Sequence, residues 1–586
     1  MFYLLMFLLL CRLSHSDSPF LNVLYNLSSS CLAAQWSYVF DNGGSVFFAV
    51  FMSIWAVAFL EFWKRQNAHL SHRWSMDDYE EEDSYPRPDY CAKAKLQKAN
   101  PVTGEMEPYV KQSIRRKRVL VSFASVIFMI CVVLVFVSSC IIYRTLVRVT
   151  INHMGHSDGV KTVPSVFATL LRKNSRLVSN GSAAILNLIL IVIMGELYQK
   201  IAVKLTDWET HRTQIEYDNA LTLKVFIFQF VNFYSSVFYV GFIKGKFTGW
   251  PGEWKETFGL RNETCAAGGC LIELAIQLGT IMIGKQILNN CTELAVPKLK
   301  QILNRRKLKS MKCYSKDQKF RWTSDFELDE YTGLCDEYLE MVLQFGFITI
   351  FSAAFPLAAI FALLNNWVEI RLDAQKLLLM VRRPVSQRAS SIGIWFRILE
   401  TIVRIAVISN AFLIAFTSQF IPHMMYRIEN GGHLEGYVEY SLSSYTFTTK
   451  AKLGEEKSVI DNFEQQNITC RYFDHRDEEG KLTIFYWKLI AAKLFFVIVF
   501  EHSVFFIGKM IDIAVPDIPE SLKNRKLRLR YLAKQTAFAS KQRAGSHKIS
   551  NFNVQQGTSP NTIRHRLGSK KTEFSMDPQQ SRANDQ

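Results

Sequence analysis

The stretch "MVLQFGFITIFSAAFPLAAIFALLNNWVEIRLDAQK", residues 341 to 376, decides how the chain crosses a membrane. Its apolar part is long for a single crossing of a bilayer. Pro356 lies near its middle, and Glu369 and Asp373 lie one helical turn apart near its end. Since proline interrupts helices, the region is either one long span or two helices folded about Pro356. The loops on either side distinguish these alternatives.

The rest of the chain has the composition of a polytopic membrane protein. Its 586 residues are 49% hydrophobic, in blocks long enough to cross a bilayer. Further candidate spans begin near Ser45, Val119, Ser182, Thr222, Cys270, Gly393 and Ile484. The net charge of +17 is concentrated between blocks and in the tail, as in cytosolic loops, so no nucleic-acid partner is expected. No phosphate loop, zinc-type spacing or nucleophile elbow is found, and no enzyme is predicted.

Glycosylation motifs and basic clusters together set the number of spans. The Asn-x-Ser/Thr motifs, which must face outside if modified, are at Asn26, Asn180, Asn262 and Asn467. The basic clusters "SIRRKR", "LKQILNRRKLK" and "VRRPVSQR" should face the cytosol. Both conditions hold only if two helices lie between Tyr331 and Val381. We therefore predict an all-α protein with nine spans, an outside N-terminal segment and a cytosolic C-terminus.

This count divides the chain into eight segments. They are an outside segment (1–44), a span (45–63), a cytosolic loop (64–118), a membrane core (119–382), a span (393–418), an outside loop (419–483), a last span (484–511) and a basic cytosolic tail (512–586). The tail is predicted to be disordered from about Thr536. Its segment "LKNRKLRLRYLAK" is either a solvated helix or a helix on an anionic membrane surface.

Four cysteines fall in outside segments, where disulfides persist. They are Cys31, Cys265, Cys270 and Cys470. Four cysteines allow three pairings, and the sequence does not choose between them.

Six side chains that carry oxygen are predicted at the cytosolic third of three consecutive helices. They are Asn289 and Glu293, Glu337 and Glu340, and Glu369 and Asp373, and each pair is three or four residues apart. This spacing places each pair on one helix face. Carboxylates at one depth repel unless a cation neutralises them, and Ca2+ accepts six to eight oxygens in adaptable geometry. The pattern predicts a site for about two Ca2+ ions. Salt bridges with Arg371, Lys376 or Lys285, or a proton relay, are the alternatives.

A smaller acidic group is predicted at the same side of the membrane. Glu61 lies near the inner end of the first listed span, and Asp512 and Asp517 lie near the inner end of the last. The group is a candidate for one further Ca2+ ion. Ion pairs with Lys64 or Lys509 are the alternative.

Several long motifs resemble the anoctamin family from about Phe40 to Leu522. They include "FDNGGSVFFAVFMSIWAVAFLEFWKR", "GGCLIELAIQLGTIMIGKQILNNCTELAVPK" and "AVPDIPESL". The resemblance implies a homodimer of ten-span subunits with the last span at the dimer interface, and a Ca2+-gated path in each subunit. It matches the six residues above to the principal Ca2+ ligands, and Glu61, Asp512 and Asp517 to a weaker site. The large cytosolic domain and first span that usually open the family's chains are not recognisable here.

The resemblance also implies how the path opens and what lines it. The end of the helix that carries Asn289 would swing about Gly284; close helix packing is the alternative role of this glycine. Lys244 and Lys246 would draw anions or phosphate to the outer mouth of the path, unless they are solvated loop charges. Gln229 stands at a position within the path where anion-selective members tend to carry a base.

These features favour Ca2+-activated phospholipid scrambling with poorly selective ion conductance. A Ca2+-activated chloride channel is the first alternative, and a membrane tether or scaffold without transport is the second. The expected partners are a second copy of the chain, phospholipids, chloride and other small ions. The expected location is the plasma membrane or the endoplasmic reticulum.

Overall fold

The computed structural model describes most of the chain. The described residues are 31–76, 85–100, 104–153, 175–251, 253–257, 260–265, 269–310, 328, 330–331, 333–447, 468–477 and 479–554. The chain divides after Asp517 into two units, Met1–Asp517 and Ile518–Gln586.

Helices make up most of the first unit. They are α1 (Cys31–Phe40), α2 (Gly43–Arg73), α3 (Pro88–Lys93), α4 (Gln112–His153), α5 (Ser175–Glu209), α6 (Gln214–Phe238), α7 (Cys270–Ser310), α8 (Cys335–Ile350), α9 (Ala358–Gln375), α10 (Ile394–Phe412), α11 (Phe420–Glu429), α12 (Tyr437–Tyr440) and α13 (Ile484–Ala514). A π-helical turn follows α6, α9 and α10 and carries them to Ile243, Met380 and Thr417.

Four antiparallel strand pairs are found among the described residues of this unit. Their strands are β1 (Leu96–Ala99) with β2 (Met106–Tyr109), β3 (Gly249–Trp250) with β4 (Glu253–Trp254), β5 (Glu256–Thr257) with β6 (Leu260–Arg261), and β7 (Leu442–Phe447) with β8 (Ile468–Phe473). All lie in connections between the long helices.

Polar side chains at the helix starts explain where three of the long helices begin. The side chain of Asn42 accepts a hydrogen bond from the backbone of Ser45 at the start of α2. Thr213 and Thr483 cap α6 and α13 in the same way. Such caps satisfy backbone N–H groups that have no partner within the helix.

Seven helical segments among the described residues are long and apolar enough to cross a bilayer. They correspond to all or part of α2, α4, α5, α6, α7, α10 and α13, and they coincide with the predicted spans outside the 341–376 region. The protein is therefore an all-α, multi-pass integral membrane protein.

The 341–376 region forms two helices, as predicted. Helix α8 has 16 residues and α9 has 18, and the turn between them contains Pro356. Gln344 donates to Asn366, and Glu337 forms an ion pair with Lys376, so the helices are antiparallel. We call this pair the α8–α9 hairpin.

Most of the large, fully buried side chains lie on α6, the first half of α7, α8 and α10. Phe228, Leu274, Leu278, Ile350 and Ile402 are almost fully buried there. Helices α4 and α13 instead expose long rows of apolar side chains, as expected of surfaces that face lipid or another membrane helix.

Two helices extend beyond the predicted bounds of their spans, and the span bounds themselves stay a prediction. Helix α2 continues past residue 63 to Arg73, and α4 begins at Gln112 instead of residue 119, so the connection between them is shorter than 64–118. Basic residues extend both helices, because Lys and Arg are good helix formers outside the hydrocarbon layer as well.

The second unit contains α14 (Glu520–Val554), so the prediction of disorder from about Thr536 is wrong as far as Val554. The segment from Ala533 to Ala544 contains four alanines among Lys, Gln and Arg. These residues have high helix propensity, which outweighs the polar composition.

Candidate functional site

Three of the six predicted ligands meet at one end of the α8–α9 hairpin. Glu337 on α8 and Glu369 and Asp373 on α9 each place a carboxylate oxygen within 4.8 Å of the other two. Glu369 is buried, and the other two are half-buried. Helical spacing explains the geometry: Glu369 and Asp373 lie one turn apart on α9 and face the start of α8. We call this group, together with Glu340 and Asn289, the acidic site.

Helix α7 reaches the acidic site with side-chain amides. Nδ2 of Asn289 donates to Oε2 of Glu340 over 2.9 Å. Nε2 of Gln286 donates to Oε2 of Glu369 over 3.1 Å. Sequence reasoning missed Gln286, although it lies three residues before Asn289 and therefore on the same helix face. Glu293 lies further along α7, and its side chain is outside the described residues.

The acidic site has the chemistry of a hard cation site. Glu340 is only 8% exposed. Its Oε1 is buried without a hydrogen-bond donor among the described residues. Carboxylate and amide oxygens in this number are the ligands that Ca2+ prefers, whereas Zn2+ would favour His or Cys. The residues present therefore fit the predicted ion.

Cationic side chains also lie near the acidic site. Lys376 forms an ion pair with Glu337, which was one of the alternative contacts predicted. The ammonium of Lys285 lies 4.7 Å from the ring centre of Phe233. The guanidinium of Arg371 lies over Trp367. Of the three alternative salt bridges, a direct ion pair at the site is therefore described for Lys376.

The smaller acidic group is also assembled. Glu61 on α2, Asp512 on α13 and Asp517 just after α13 each place an oxygen within 4.8 Å of the other two. Lys64 contacts Glu61 at 2.8 Å, and Lys509 contacts Asp512 at 2.6 Å, so both alternative ion pairs are present as well. The rings of Phe59 on α2 and Phe345 on α8 are 5.6 Å apart, which places this group toward the same end of the bundle as the acidic site.

Gly284 packs closely against α5. A Cβ atom at this position would lie 2.5 Å from Cδ2 of Leu188. Helix α7 runs without interruption from Cys270 to Ser310 through this glycine. The close contact between helices, which was the alternative role of Gly284, is therefore present, and bending at Gly284 stays a prediction.

The alternative that Lys244 is a solvated loop charge is wrong, and its role in drawing anions stays a prediction. Lys244 is 1% exposed. Its ammonium contacts Glu273 at the start of α7 at 2.5 Å and Glu263 at 3.7 Å. Arg144 of α4 pairs with the same Glu263. Lys244 lies next to a predicted loop, which suggested contact with solvent. In the structure, the connection after β6 places Glu263 against Lys244. The charge of Lys244 is thus already balanced.

The other two path residues differ in their surroundings. Lys246 is exposed and donates to the carbonyl of Phe416. Gln229 is buried at 8% exposure. It accepts from Asn232 at 3.3 Å. Its amide also packs against Gly195 of α5, so it lies where α5 and α6 meet.

Two glycosylation motifs fall among the described residues. Asn262 lies in the connection between β6 and α7, and its Nδ2 donates to the carbonyl of Phe247. Asn180 lies within α5, close to the start of a bilayer-spanning segment, and is half-buried. Asn26 and Asn467 lie outside the described residues.

The structure selects one partner for Cys265 among the open pairings. Cys265 forms a disulfide with Cys270, the first residue of α7. The side chains of Cys31 and Cys470 are outside the described residues.

Alkylation should reveal this disulfide. In the unfolded but unreduced protein, Cys265 and Cys270 are expected to resist a thiol reagent and to react only after reduction. Mass spectrometry of the peptide containing both residues measures this directly, and Cys91 and Cys291, which are free thiols, serve as internal controls. Labelling of both cysteines before reduction would contradict the pairing.

The chain is similar to proteins of one family over most of its length. A family model described as "Anoctamin: Calcium-activated chloride channel" matches residues 2–529. Anoctamin-7 of Homo sapiens is 46% identical over 523 residues, which is 89% of this chain and 53% of that protein. Anoctamin-4 of Mus musculus is 41% identical over 91% of this chain and 56% of that protein. Anoctamin-3 of Mus musculus is 42% identical over 88% of this chain and 52% of that protein.

The chain spans about half the length of the curated relatives it matches. The residues of this chain that the family model matches include every helix that contributes to the acidic site. On the extent of the match, the chain belongs to the anoctamin family.

Proposed function

We propose that the protein is a Ca2+-activated phospholipid scramblase with poorly selective ion conductance, and that it acts by transport and not by catalysis. The convergence of Glu337, Glu369 and Asp373 within 4.8 Å between membrane helices carries the proposal. Charged groups at membrane depth are costly and mark functional sites. Asn289, Glu293 and Glu340 complete the proposed ligands for about two ions, and Glu61, Asp512 and Asp517 form the proposed weaker site.

The residues of the proposed path favour lipid over selective chloride transport. A chloride-selective path needs uncompensated positive charge. Of the three proposed path residues, Lys244 is paired with two glutamates and Gln229 is uncharged, which leaves the exposed Lys246 as the cation among the three. The contact between α5 and α6 is polar without being basic: Asn187 donates to Ser236 at 3.0 Å, and Asn232 donates to the carbonyl of Ile191 at 2.9 Å. Neutral hydrogen-bonding groups of this kind suit zwitterionic headgroups and ions of either sign.

The packing of α7 supports movement of its second half. Before Gly284, Leu274, Leu278 and Ile281 are fully buried. After it, Ile287 and Leu299 are each 58% exposed. The first half is also anchored by the disulfide and by the ion pair to Lys244. A change at the acidic site would therefore displace the second half and leave the first half in place.

The residues at the acidic site supply the energy of the proposed switch. A bound Ca2+ would add the positive charge that removes repulsion between the carboxylates. Asn289 and Gln286 already connect α7 to Glu340 and Glu369, so a change in the position of these carboxylates is passed to α7. Separation of α7 from α5 at the Gly284–Leu188 contact would open the path.

A substitution at Gly284 separates bending from packing. Alanine favours a continuous helix over glycine by about 1 kcal/mol, so Gly284→Ala should raise the Ca2+ concentration for half-maximal lipid exchange several-fold. Adding Leu188→Ala removes the clash with the new Cβ. We expect the raised Ca2+ requirement to persist in the double variant, measured as lipid exchange against Ca2+. Full restoration by Leu188→Ala would mean that Gly284 serves packing alone.

Reconstitution of the 586-residue chain tests the function. The protein is placed in liposomes with a fluorescent lipid, and the fraction of label reached by an added reductant is followed with and without Ca2+. Ca2+-stimulated exchange of lipid between leaflets is expected. A folded sample without stimulated exchange would overturn the proposal. Empty liposomes and liposomes with Glu369→Gln serve as controls.

A Ca2+-activated chloride channel is the second candidate, because the matching family model carries that description. Reversal potentials in asymmetric chloride distinguish the two. Strong anion preference without lipid exchange would favour the channel.

The exposed apolar face of α13 supports the proposed homodimer. Trp487, Phe495, Ile498 and Phe506 are each more than half exposed along this helix. Cross-linking through cysteines placed on this face measures whether two copies meet there.

The plasma membrane and the endoplasmic reticulum are both proposed locations.

A further inference from the structure

A group of neutral side-chain amides joins the two helices of the α8–α9 hairpin. Nε2 of Gln344 on α8 donates to Oδ1 of Asn366 on α9 over 2.6 Å. Nδ2 of Asn365 donates to Oε1 of Gln344 over 2.8 Å. Both ends of the Gln344 amide are therefore bonded to the opposite helix. We call these three residues the amide bridge.

The amide bridge lies one helical turn from the acidic site. Gln344 follows Glu340 by four residues on α8, and Asn365 precedes Glu369 by four residues on α9. Residues four apart lie on the same helix face, about one turn apart along the axis. The bridge therefore stands directly above the carboxylates, between them and the turn at Pro356.

The bridge is buried enough to constrain the helices. Asn365 is 8% exposed, while Gln344 and Asn366 are half-buried. Oδ1 of Asn365 is buried without a donor among the described residues, so the described partner that orients this side chain is Gln344. An amide that lost its partner here would be left in a poorly solvated place, which opposes sliding of one helix along the other.

The bridge differs in kind from the charged contact at the site itself. Lys376 and Glu337 also join α8 to α9, but this ion pair involves a carboxylate of the acidic site. Its strength must change when the charge of the site changes. The bonds among Gln344, Asn365 and Asn366 join uncharged groups, so their strength does not depend directly on the charge of the site.

We propose that Gln344 is a positioning residue for cation binding, which rests on the proposed Ca2+ site. Its amide fixes the register of α8 against α9. That register holds Glu337 and Glu340 opposite Glu369 and Asp373 while their charges repel. Loss of the bridge lets the carboxylates move apart, so more Ca2+ is needed to bring them together.

The test uses Gln344→Leu in the full chain. Loss of groups that orient metal ligands costs about 10- to 100-fold in affinity, and we expect a rise of about 10-fold in the Ca2+ concentration for half-maximal effect. It is measured by the Ca2+-dependent rise in unfolding temperature in detergent and by lipid exchange in liposomes. The maximal exchange rate at saturating Ca2+ should stay near that of the unmodified chain.

Thr349→Val is the matched control. The hydroxyl of Thr349 is buried on the same helix but donates within α8, to the carbonyl of Phe345. The Ca2+ response of this variant should be unchanged. If Thr349→Val shifts the response as much as Gln344→Leu, a general loosening of α8 explains both and the proposal is wrong.

Asn366→Leu provides a second route to the same answer, including the case in which Gln344→Leu does not fold. It should raise the Ca2+ concentration for half-maximal effect by a similar factor. In the variant that carries both substitutions, this concentration should be no higher than in either single variant, because both substitutions break the same bridge. Additive effects would overturn the proposal.

Failure of the two proposals can be told apart. If the unmodified chain shows no Ca2+-dependent rise in unfolding temperature, the proposed Ca2+ site is wrong. If it shows that rise and Gln344→Leu and Asn366→Leu respond like the unmodified chain, the site stands and the positioning role of Gln344 is wrong.

Discussion

Glu369→Gln is expected to raise the Ca2+ concentration for half-maximal lipid exchange by about 100-fold. Glu369 is 3% exposed and lies within 4.8 Å of two further carboxylates. Removal of a group that only orients a ligand already costs about 10- to 100-fold in metal affinity, and this substitution removes the charge of a proposed ligand itself. Lipid exchange and unfolding temperature, each measured against Ca2+, give the shift.

Glu400→Gln is the control for this substitution. Glu400 is an exposed carboxylate on α10 that pairs with Arg404 on the surface. It should leave the Ca2+ response unchanged. An equal shift in both variants would show that overall charge, and not the acidic site, sets the response; no shift in Glu369→Gln would remove this residue from the site.

Lys244→Met is expected to lower the unfolding temperature of the protein strongly. The substitution removes the ion pair between Lys244 and Glu273 at the start of α7 and the longer contact between Lys244 and Glu263. Breaking a buried ion pair by removal of one partner costs about 3–5 kcal/mol. Thermal unfolding in detergent without Ca2+ measures the loss.

Two variants make this second prediction specific. Lys246→Met removes an exposed lysine two residues away and should have little effect. Lys244→Met combined with Glu273→Gln should recover part of the lost stability, because the second substitution removes the carboxylate charge that the lysine balanced. If Lys244→Met leaves stability unchanged but reduces anion current, the buried ion pair is not important and the original prediction of an anion-attracting lysine is supported.

The sequence was sufficient for the hairpin and for the acidic residues that meet there. Pro356, the basic clusters and the Asn-x-Ser/Thr motifs together require two helices in the 341–376 region. Helical periodicity then places Glu369 and Asp373 on one face. These are properties of spacing and charge along the chain, and three-dimensional packing does not override them.

Other features depend on which side chains meet, and spacing alone does not reveal this. Lys244 is followed by a turn and looks like a loop residue, yet the connection after β6 brings Glu263 over it. The sequence does not show what Gln286 and Gln344 contact, and only the partner helix shows that they bond across. The helix beyond Thr536 was missed because a polar composition was given more weight than helix propensity.

The contact between Gly284 and Leu188 has a thermodynamic consequence, because α7 carries both this contact and the amides that reach the acidic site. If Ca2+ binding favours separation of α5 and α7, a molecule that holds these two helices apart must increase the affinity for Ca2+ by the same factor. Lipids that enter between them would then increase the affinity of the site for Ca2+. Lipids of the surrounding bilayer would thus act as co-agonists of Ca2+. The Ca2+ affinity measured in detergent would then differ from the affinity measured in a membrane.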